Sequence, residues 1–307
     1  MTGTAARALT RTAARALTRT ATAPAGGRPR RGPGGPRGRR ALLWVAAHAV
    51  AIALSLMFLA PLLFMFLTAV MSDEQTLSGD LWPAHWQWGN FTEVLSGDMA
   101  RWLGNSLLYA VLGTLFMLLS SVPVAYALAR FRFRGRKVAF VLVITTMMLP
   151  PQITVVPLYI VWARFELTGT LWPLILPLLF GDAFSIFLLR QFLVTIPRDY
   201  ADAARVDGCG EFTTMVRVVL PMARPALAAV ALFQFFYCWN DYYGPLVYAK
   251  PDAWPLAVGI ATFRAAHNVE WNLTMAATLL TVLPVIVVFL LAQRVFVQGI
   301  TLTGVKG

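Results

Sequence analysis

Residues 200–221 read YADAARVDGCGEFTTMVRVVLP. This stretch is polar and carries acidic residues, although 58% of the whole chain is hydrophobic and its formal net charge is +12. Long runs of Leu, Val and Phe lie on both sides of it. Several of these runs reach the roughly 20 residues that a helix needs to cross a bilayer core. The sequence therefore predicts an all-α integral membrane protein with a water-facing segment between two of its spans.

The apolar runs predict six transmembrane helices, at residues 41–71, 104–128, 138–161, 170–194, 223–248 and 272–296. Lys and Arg concentrate on the cytoplasmic side of membrane proteins. All but four of the 26 Lys and Arg residues fall on one side of these spans. The four on the other side are Arg101, Arg164, Lys250 and Arg264. This asymmetry predicts that both termini, and residues 200–221, are cytoplasmic.

The first 40 residues differ in composition from the rest. TAARALTR occurs at 4–11 and again at 12–19, and a Gly-, Pro- and Arg-rich stretch follows. Such a composition buries little apolar surface, so we predict that residues 1–40 form a disordered, basic cytoplasmic tail. A helix is the alternative, and it would align Arg residues spaced by four against anionic lipid. The positive charge fits membrane topology better than a nucleic-acid surface, so we expect no nucleic-acid partner.

Two short helices are predicted within residues 197–221. Pro197 suits a first helical turn, and Asp199 and Asp202 suit the positive N-terminal end of a helix dipole. Gly208 can adopt the left-handed conformation that ends a helix, which gives a first helix of about ten residues. A second helix, over about 211–219, is expected to end at Leu220-Pro221.

One face of the first predicted helix carries small side chains. Tyr200, Ala203, Ala204 and Asp207 recur at i, i+3, i+4 and i+7 and therefore share this face. Small residues on it would allow another molecule to approach the backbone closely. We interpret residues 197–221 as a rigid lever on the cytoplasmic surface, joined at both ends to membrane spans.

This segment resembles the cytoplasmic motif of permease subunits of ABC importers, which reads E-A-A, three residues, Gly, nine residues and I-x-L-P. Every interval matches in this chain, with Asp in place of Glu and Val in place of Ile. Asp202 is one methylene shorter than Glu, so the polar contact that the family's Glu makes is expected to differ. The matching residues are Asp202, Ala203, Ala204, Gly208, Val218, Val219, Leu220 and Pro221.

The resemblance covers about residues 41–307. Four further stretches are similar to the maltose-type carbohydrate importers: NSLLYAVLGTLFMLLSSVPVAYALARFRFRGRK, IPRDYADAARVDG, FYCWNDYYGPLVY and the terminal TGVKG. It implies the type I permease fold with six spans and a cytoplasmic coupling helix, seated in a cleft of a separate ATP-hydrolysing subunit. Tyr200 and Asp207 join the motif residues as candidates for this coupling because they share the face of the first helix. The predicted coupling residues are Tyr200, Asp202, Ala203, Ala204, Asp207, Gly208, Leu220 and Pro221.

The resemblance also implies the partners of a permease in the bacterial inner membrane. These are two ATP-binding subunits, a second homologous permease and an extracytoplasmic solute-binding protein, for a sugar or related polyol. The chain itself has no GxxxxGK[ST] phosphate loop, so ATP and Mg would be used by a partner subunit. We expect no bound cofactor, no metal site and no enzymatic activity in this chain.

Two other functions stay open at this point. One is a secondary transporter driven by an ion gradient, in which Asp182 and Asp241 would relay protons or sodium, and which inverted repeats would favour. The other is an ABC permease for a solute that is not a sugar.

Polar side chains inside the spans are candidates for a substrate pathway, because such groups are costly in a membrane. Carboxylates and amides can hydrogen-bond sugar hydroxyls, and aromatic rings can stack on the C–H face of a sugar. Hydrogen bonding between helices is the alternative for each of them. Pro150, Pro151 and Pro157 are predicted to break the third span. The candidate pathway residues are Gln152, Asp182, Gln234, Asn240, Asp241 and Tyr242.

Two Trp- and Pro-bearing loops, residues 81–95 and 250–263, lie on the extracytoplasmic side of the predicted topology. The resemblance implies that they dock the solute-binding protein. An aromatic belt at the membrane interface is the alternative for Trp82, Trp86 and Trp88.

Overall fold

A computed structural model describes residues 37–265 and 268–303. Most of the predicted disordered tail lies outside the described residues, and so do His267 and the last four residues of the terminal TGVKG. The first helix begins at Arg37, so residues 37–40 of the predicted tail are helical.

The described residues are predominantly helical. A two-residue strand, Arg264–Ala265, pairs antiparallel with Asn268–Val269. Short 3₁₀ helices cover Leu176–Phe180, Pro251–Ala253 and Ile260–Phe263, and a π-helical turn covers Met215–Val219. The α-helices are α1 (Arg37–Ala69), α2 (Asp73–Thr76), α3 (Gly89–Ser96), α4 (Met99–Arg130), α5 (Arg136–Thr146), α6 (Pro151–Arg164), α7 (Trp172–Ile175), α8 (Ala183–Thr195), α9 (Asp199–Val206), α10 (Glu211–Thr214), α11 (Leu220–Met222), α12 (Arg224–Asn240), α13 (Tyr243–Tyr248), α14 (Leu256–Gly259) and α15 (Trp271–Thr303).

Four helical stretches in the described part of the chain are long and apolar enough to cross a membrane by themselves. They correspond to the predicted first, second, fourth and sixth spans. The predicted fifth span corresponds to α12. This helix is long and apolar enough to cross a membrane only when it is taken together with Glu211–Met222, and the two are bent by 83° relative to each other. The four stretches are Ala41–Ala69, Met99–Arg130, Trp172–Thr195 and Trp271–Gln293.

The predicted third span, residues 138–161, is not one helix. It is divided between α5, of 11 residues, and α6, of 14 residues. Pro150 has an extended backbone immediately before α6, and proline lacks the N–H that would continue the hydrogen-bond ladder. The expected break is therefore confirmed at Pro150-Pro151. Pro157 instead lies inside α6 without ending it.

Two buried clusters hold the second to sixth spans together, and α4 contributes to both. The first cluster joins the C-terminal half of α4 to α8 and to residues 197–221, through Tyr126, Leu193 and Val219 among others. The second joins the N-terminal half of α4 to α12, α14 and α15, through residues such as Tyr109 and Trp239. The helix α4 is therefore the common support of both ends of the bundle.

The loop 250–263 is fastened to the start of α4. Asn105 Nδ2 donates hydrogen bonds to the carbonyl oxygens of Asp252 and Trp254, at 3.0 and 2.9 Å. At Gly259 the backbone lies against the ring of Trp102, which leaves no room for a Cβ atom. This close approach fixes the position of one of the two loops expected to face the solute-binding protein.

We expect Gly259→Ala to destabilise the protein by about 1–3 kcal/mol, because its methyl group would overlap the Trp102 ring. Gly104→Ala is the matched control, since a Cβ atom there meets nothing within 4 Å and alanine favours a helix. Thermal unfolding in detergent measures both variants. Equal unfolding temperatures for the two would contradict the packing described here.

Candidate functional site

Residues 197–221 are called the cytoplasmic segment after their predicted location. Their first short helix is α9, which follows α8 after only three residues. It starts at Asp199 with Arg198 as its N-cap residue, so Pro197 precedes the helix rather than occupying its first turn. Gly208 has φ +83°, which confirms the predicted left-handed stop. Its N–H donates to the carbonyl oxygen of Arg205 at 3.0 Å. The helix end is therefore defined by one residue that needs glycine's conformational freedom.

The second short helix is longer than predicted. Glu211–Met222 is one continuous helical stretch in which a π turn separates α10 from α11. The expectation that it ends at Leu220-Pro221 is wrong, because Pro221 lies in the first turn of α11, where its missing N–H is tolerated. The chain turns at the fully buried Ala223 and continues as α12.

The faces of α9 are divided between the protein's own spans and the solvent. Ala201 and Ala204 are both buried, and Ala201 belongs to the first cluster. The spacing predicted that Ala204 shares an open face with Tyr200, Ala203 and Asp207. This is wrong for Ala204, because it is buried. The other three residues are exposed, so they form the face of α9 that is open to a partner. Leu220 is half-buried and Pro221 is exposed.

Arg205 joins α9 to α10 and, through Glu211, to α4. Its Nε atom lies 2.7 Å from Glu211 Oε1, and its Nη1 atom lies 2.5 Å from Asp202 Oδ1. The hydroxyl of Tyr126 on α4 donates to Glu211 Oε2 at 3.3 Å. The hydrogen bond with Glu211 raises the pKa of Arg205 above its ordinary value, so this residue stays cationic. Ion pairs as exposed as these contribute at most about 1 kcal/mol, so their effect is to fix position.

A cavity of about 430 Å³ lies between the start of α8 and the middle of α12. Two of the six predicted pathway residues, Asp182 and Gln234, line it. The rings of Phe184 and Phe233 meet edge to face there, with centroids 5.9 Å apart. The complete lining is Leu178, Asp182, Phe184, Ser185, Phe233, Gln234 and Tyr237.

Asp182 and Gln234 are both held in place by neighbouring groups. Asp182 is the N-cap of α8 rather than a residue inside a helix, and it accepts a hydrogen bond from the N–H of Ser185 at 2.7 Å. Gln234 is buried and donates to Cys238 Sγ at 3.2 Å. A carboxylate and an amide can each form further hydrogen bonds, so both could also contact a solute.

The other four predicted pathway residues do not line this cavity. Asp241 accepts hydrogen bonds from the hydroxyl of Tyr109 and the N–H of Gly244, both at 3.0 Å. These contacts connect α4 to α13 and support the alternative interpretation of hydrogen bonding between helices. Asn240 donates to the carbonyl oxygen of Phe236 at 2.8 Å. Gln152 and Tyr242 are exposed.

The sequence did not single out the aromatic part of this cavity. Phe233 and Tyr237 are spaced by four, so they lie on one face of α12 beside the predicted Gln234. They stand in the aromatic run FQFFYCW, in which spacing alone does not distinguish lining rings from packed ones. Only the position of α12 against α8 distinguishes them.

Trp82, Trp86 and Trp88 are exposed and contact one another. The rings of Trp86 and Trp88 stack with centroids 5.8 Å apart, and Trp82 meets Trp86 edge to face at 6.0 Å. This aromatic group is compatible both with docking of a protein and with a membrane interface.

Residues 121–302 match the family model described as "Binding-protein-dependent transport system inner membrane component". The chain belongs to this family. The matched range contains the whole cytoplasmic segment and both helices that line the cavity. The predicted resemblance is thereby confirmed. The chain is a multi-pass transport subunit of the inner membrane and not an enzyme.

Relatives and a solved structure agree with this assignment. The arabinooligosaccharide transport permease AraQ of Bacillus subtilis is 30% identical, over 86% of this chain and 96% of its own length. The sn-glycerol-3-phosphate transport permease UgpE of Pectobacterium atrosepticum is 33% identical, over 83% of this chain and 95% of its own. A crystal structure of a bacterial ABC transporter that imports the acidic polysaccharide alginate contains a chain with TM-score 0.72 and 26% identity, covering 86% of this chain and 99% of that chain.

The structural match confirms the predicted fold, the type I permease fold of ABC importers. Family membership favours an ATP-driven importer over the secondary transporter that the sequence left open.

We expect Gly208→Ala to loosen the junction between α9 and α10. A left-handed backbone costs a residue with a Cβ about 1–2 kcal/mol, whereas the space around Gly208 is open, so only the backbone is strained. Local opening should therefore increase about 5–30-fold, measured as faster hydrogen exchange of the amides at 207–209.

Gly210→Ala is the matched control, because Gly210 has φ −67° and equally open surroundings. Gly208→Asn should behave almost as the wild type, since Asn tolerates the left-handed region. Identical exchange in the two Ala variants would show that the turn at Gly208 does not need glycine.

Proposed function

We propose that this chain is one permease half of an ATP-driven importer for a sugar or related polyol. A second homologous permease would complete the pore, two ATP-binding subunits would use ATP and Mg, and an extracytoplasmic solute-binding protein would deliver the solute. The names of the relatives support a carbohydrate or polyol cargo, because they refer to arabinooligosaccharides and sn-glycerol-3-phosphate.

The observation that carries this proposal is the connection of the cytoplasmic segment to the cavity. The segment begins where α8 ends and leads into α12, and these are the two helices whose side chains form most of the cavity wall. Ser185 lies ten residues before the end of α8, and Gln234 lies ten residues after the start of α12. At 1.5 Å per residue both are about 15 Å from the segment, which is half of a bilayer core of about 30 Å.

This geometry suits alternating access. A force on the open face of α9 would reach both cavity walls, because α9 is packed on the bundle through Ala201 and linked to α10 through Arg205. The exposed residues Tyr200, Ala203 and Asp207 would lie in the cleft of the ATP-hydrolysing subunit. Asp202 would contribute less directly to that contact, because its carboxylate is held by Arg205.

The cavity has groups that fit a polyol. The carboxylate of Asp182 and the amide of Gln234 can hydrogen-bond hydroxyl groups, and the rings of Phe184, Phe233 and Tyr237 can stack on an apolar sugar face. Gln152, Asn240, Asp241 and Tyr242 would serve the pathway only if it extends beyond this cavity.

The proposed orientation has both termini and the cytoplasmic segment inside the cell. The distribution of basic residues supports it, since Arg130, Arg132, Arg198 and Arg205 accompany the cytoplasmic segment. Arg101, at the opposite end of α4 from Arg130, belongs to the four basic residues of the other side.

Uptake by the whole complex in proteoliposomes tests the proposed function. We expect accumulation of an oligosaccharide only when ATP, Mg and a solute-loaded binding protein are all present. Uptake that follows a proton or sodium gradient without ATP would contradict the proposal.

Within that assay we expect Tyr237→Ala to lower the transport rate several-fold, by about 1 kcal/mol or more of lost stacking on the solute. Tyr243→Ala is the matched control, since Tyr243 is exposed but lies outside the cavity lining. Equal rates for both variants, at equal amounts of assembled complex, would exclude the cavity from the solute pathway.

A further inference from the structure

A second cavity, of about 580 Å³, lies beside α9 at the C-terminal end of α4. Its charged lining is mostly basic and comes from three places in the chain: the end of α4, the turn after it, and α9 with its flanking residues. The transport mechanism above uses Ala201, Arg205 and the two acidic residues of this lining. The lining residues are Arg130, Phe131, Arg132, Arg198, Ala201, Asp202, Arg205 and Glu211.

Arg130 is the decisive residue of this cavity. Arg130 is only 8% exposed. Its Nε and Nη2 atoms are buried without a hydrogen-bond partner among the described residues. A buried guanidinium that lacks an acceptor is costly, because charged groups lose more free energy on desolvation than neutral ones. An acceptor from outside the chain would remove this cost.

The two acids of the cavity are already engaged. Asp202 and Glu211 both form ion pairs with Arg205. Among the described residues, Arg130, Arg132 and Arg198 form no ion pair. A neighbouring cavity of about 460 Å³ shares Arg132 and Arg198 with the first one. Its other charged lining residues, Arg136 and Lys137, are also basic. The two cavities together therefore favour an anion with more than one negative oxygen.

The position of the cavity agrees with such an anion. Arg130 is the last residue of the span Met99–Arg130, and Arg198 follows the span Trp172–Thr195 after two intervening residues. Residues at the ends of spans lie at the level of lipid headgroups. Guanidinium groups, with their planar arrangement of donors, bind phosphate oxygens in pairs.

We infer that this cavity binds a phosphate-bearing anion, either a phospholipid headgroup or a soluble phosphate. The phosphate would accept hydrogen bonds from Arg130 and be clamped by Arg132 and Arg198. Because Arg198 caps α9 and Arg130 ends α4, the bound anion would hold α9 against the bundle. The site is formed by this chain alone and does not depend on which solute is transported.

Binding to the full-length chain in a neutral detergent tests this inference. The probes are phosphatidylglycerol, inorganic phosphate and, as a reference lipid without net charge, the zwitterionic phosphatidylcholine, with bound species counted by native mass spectrometry. The double variant R132Q/R198Q should lose about tenfold or more in affinity for the anionic probe that binds, because two charge-assisted contacts disappear.

R134Q is the matched control, because Arg134 is exposed in the same turn and lines neither cavity. R130Q should abolish binding. Should R130Q fail to fold, the surface variant R132Q/R198Q still decides, since Arg132 and Arg198 are exposed. Thermal unfolding of each variant verifies its fold.

The two sources of phosphate give different results. Phosphatidylglycerol that excess inorganic phosphate does not displace supports a headgroup site, whereas binding of inorganic phosphate alone supports a site for a soluble anion. Wild-type protein that binds neither anionic probe more tightly than phosphatidylcholine would overturn the inference. Equal affinities of R132Q/R198Q and R134Q would overturn it as well.

Discussion

The contact on which the rest of the structure depends is the packing of the inner face of α9 on the span bundle. This face consists of two alanines, Ala201 and Ala204, which are 3% and 7% exposed. Ala201 belongs to the buried cluster that contains Tyr126 and Leu193, and its small side chain lets the α9 backbone lie close to them. A bulkier residue at either position would push α9 outward, because a packed interior tolerates little added volume.

The two cavities lie at different depths along the same helices. The cavity with Asp182 and Gln234 lies about halfway along the spans, and the arginine-lined cavity lies at their ends. Helix α4 supports both levels, since Tyr109 holds Asp241 near one end and Tyr126 holds Glu211 near the other. On the proposed function, movement of α9 would therefore reach the cavity that Asp182 and Gln234 line.

The local part of the fold could be predicted from the sequence, and the long-range part could not. Motif spacing located the cytoplasmic segment and its stop at Gly208, because one residue's backbone conformation determines that stop. In the third span, hydropathy alone indicates neither the helix break at Pro150 nor that α6 continues through Pro157. The partner of Asp241 is Tyr109, 132 residues away in the chain, so its position in a span could not distinguish a structural from a functional role. Tyr237 could not be recognised from the sequence, because its neighbours in the run FQFFYCW are also aromatic.

The two cysteines differ in a way that has a practical consequence. Cys238 is fully buried beside Gln234, whereas Cys209 is free and partly accessible, one residue after the glycine that ends α9. A thiol-reactive fluorophore or spin label should therefore attach at a single position without any engineered substitution. The native chain thus carries its own attachment site for a spectroscopic label, beside the helix that would contact the ATP-hydrolysing subunit.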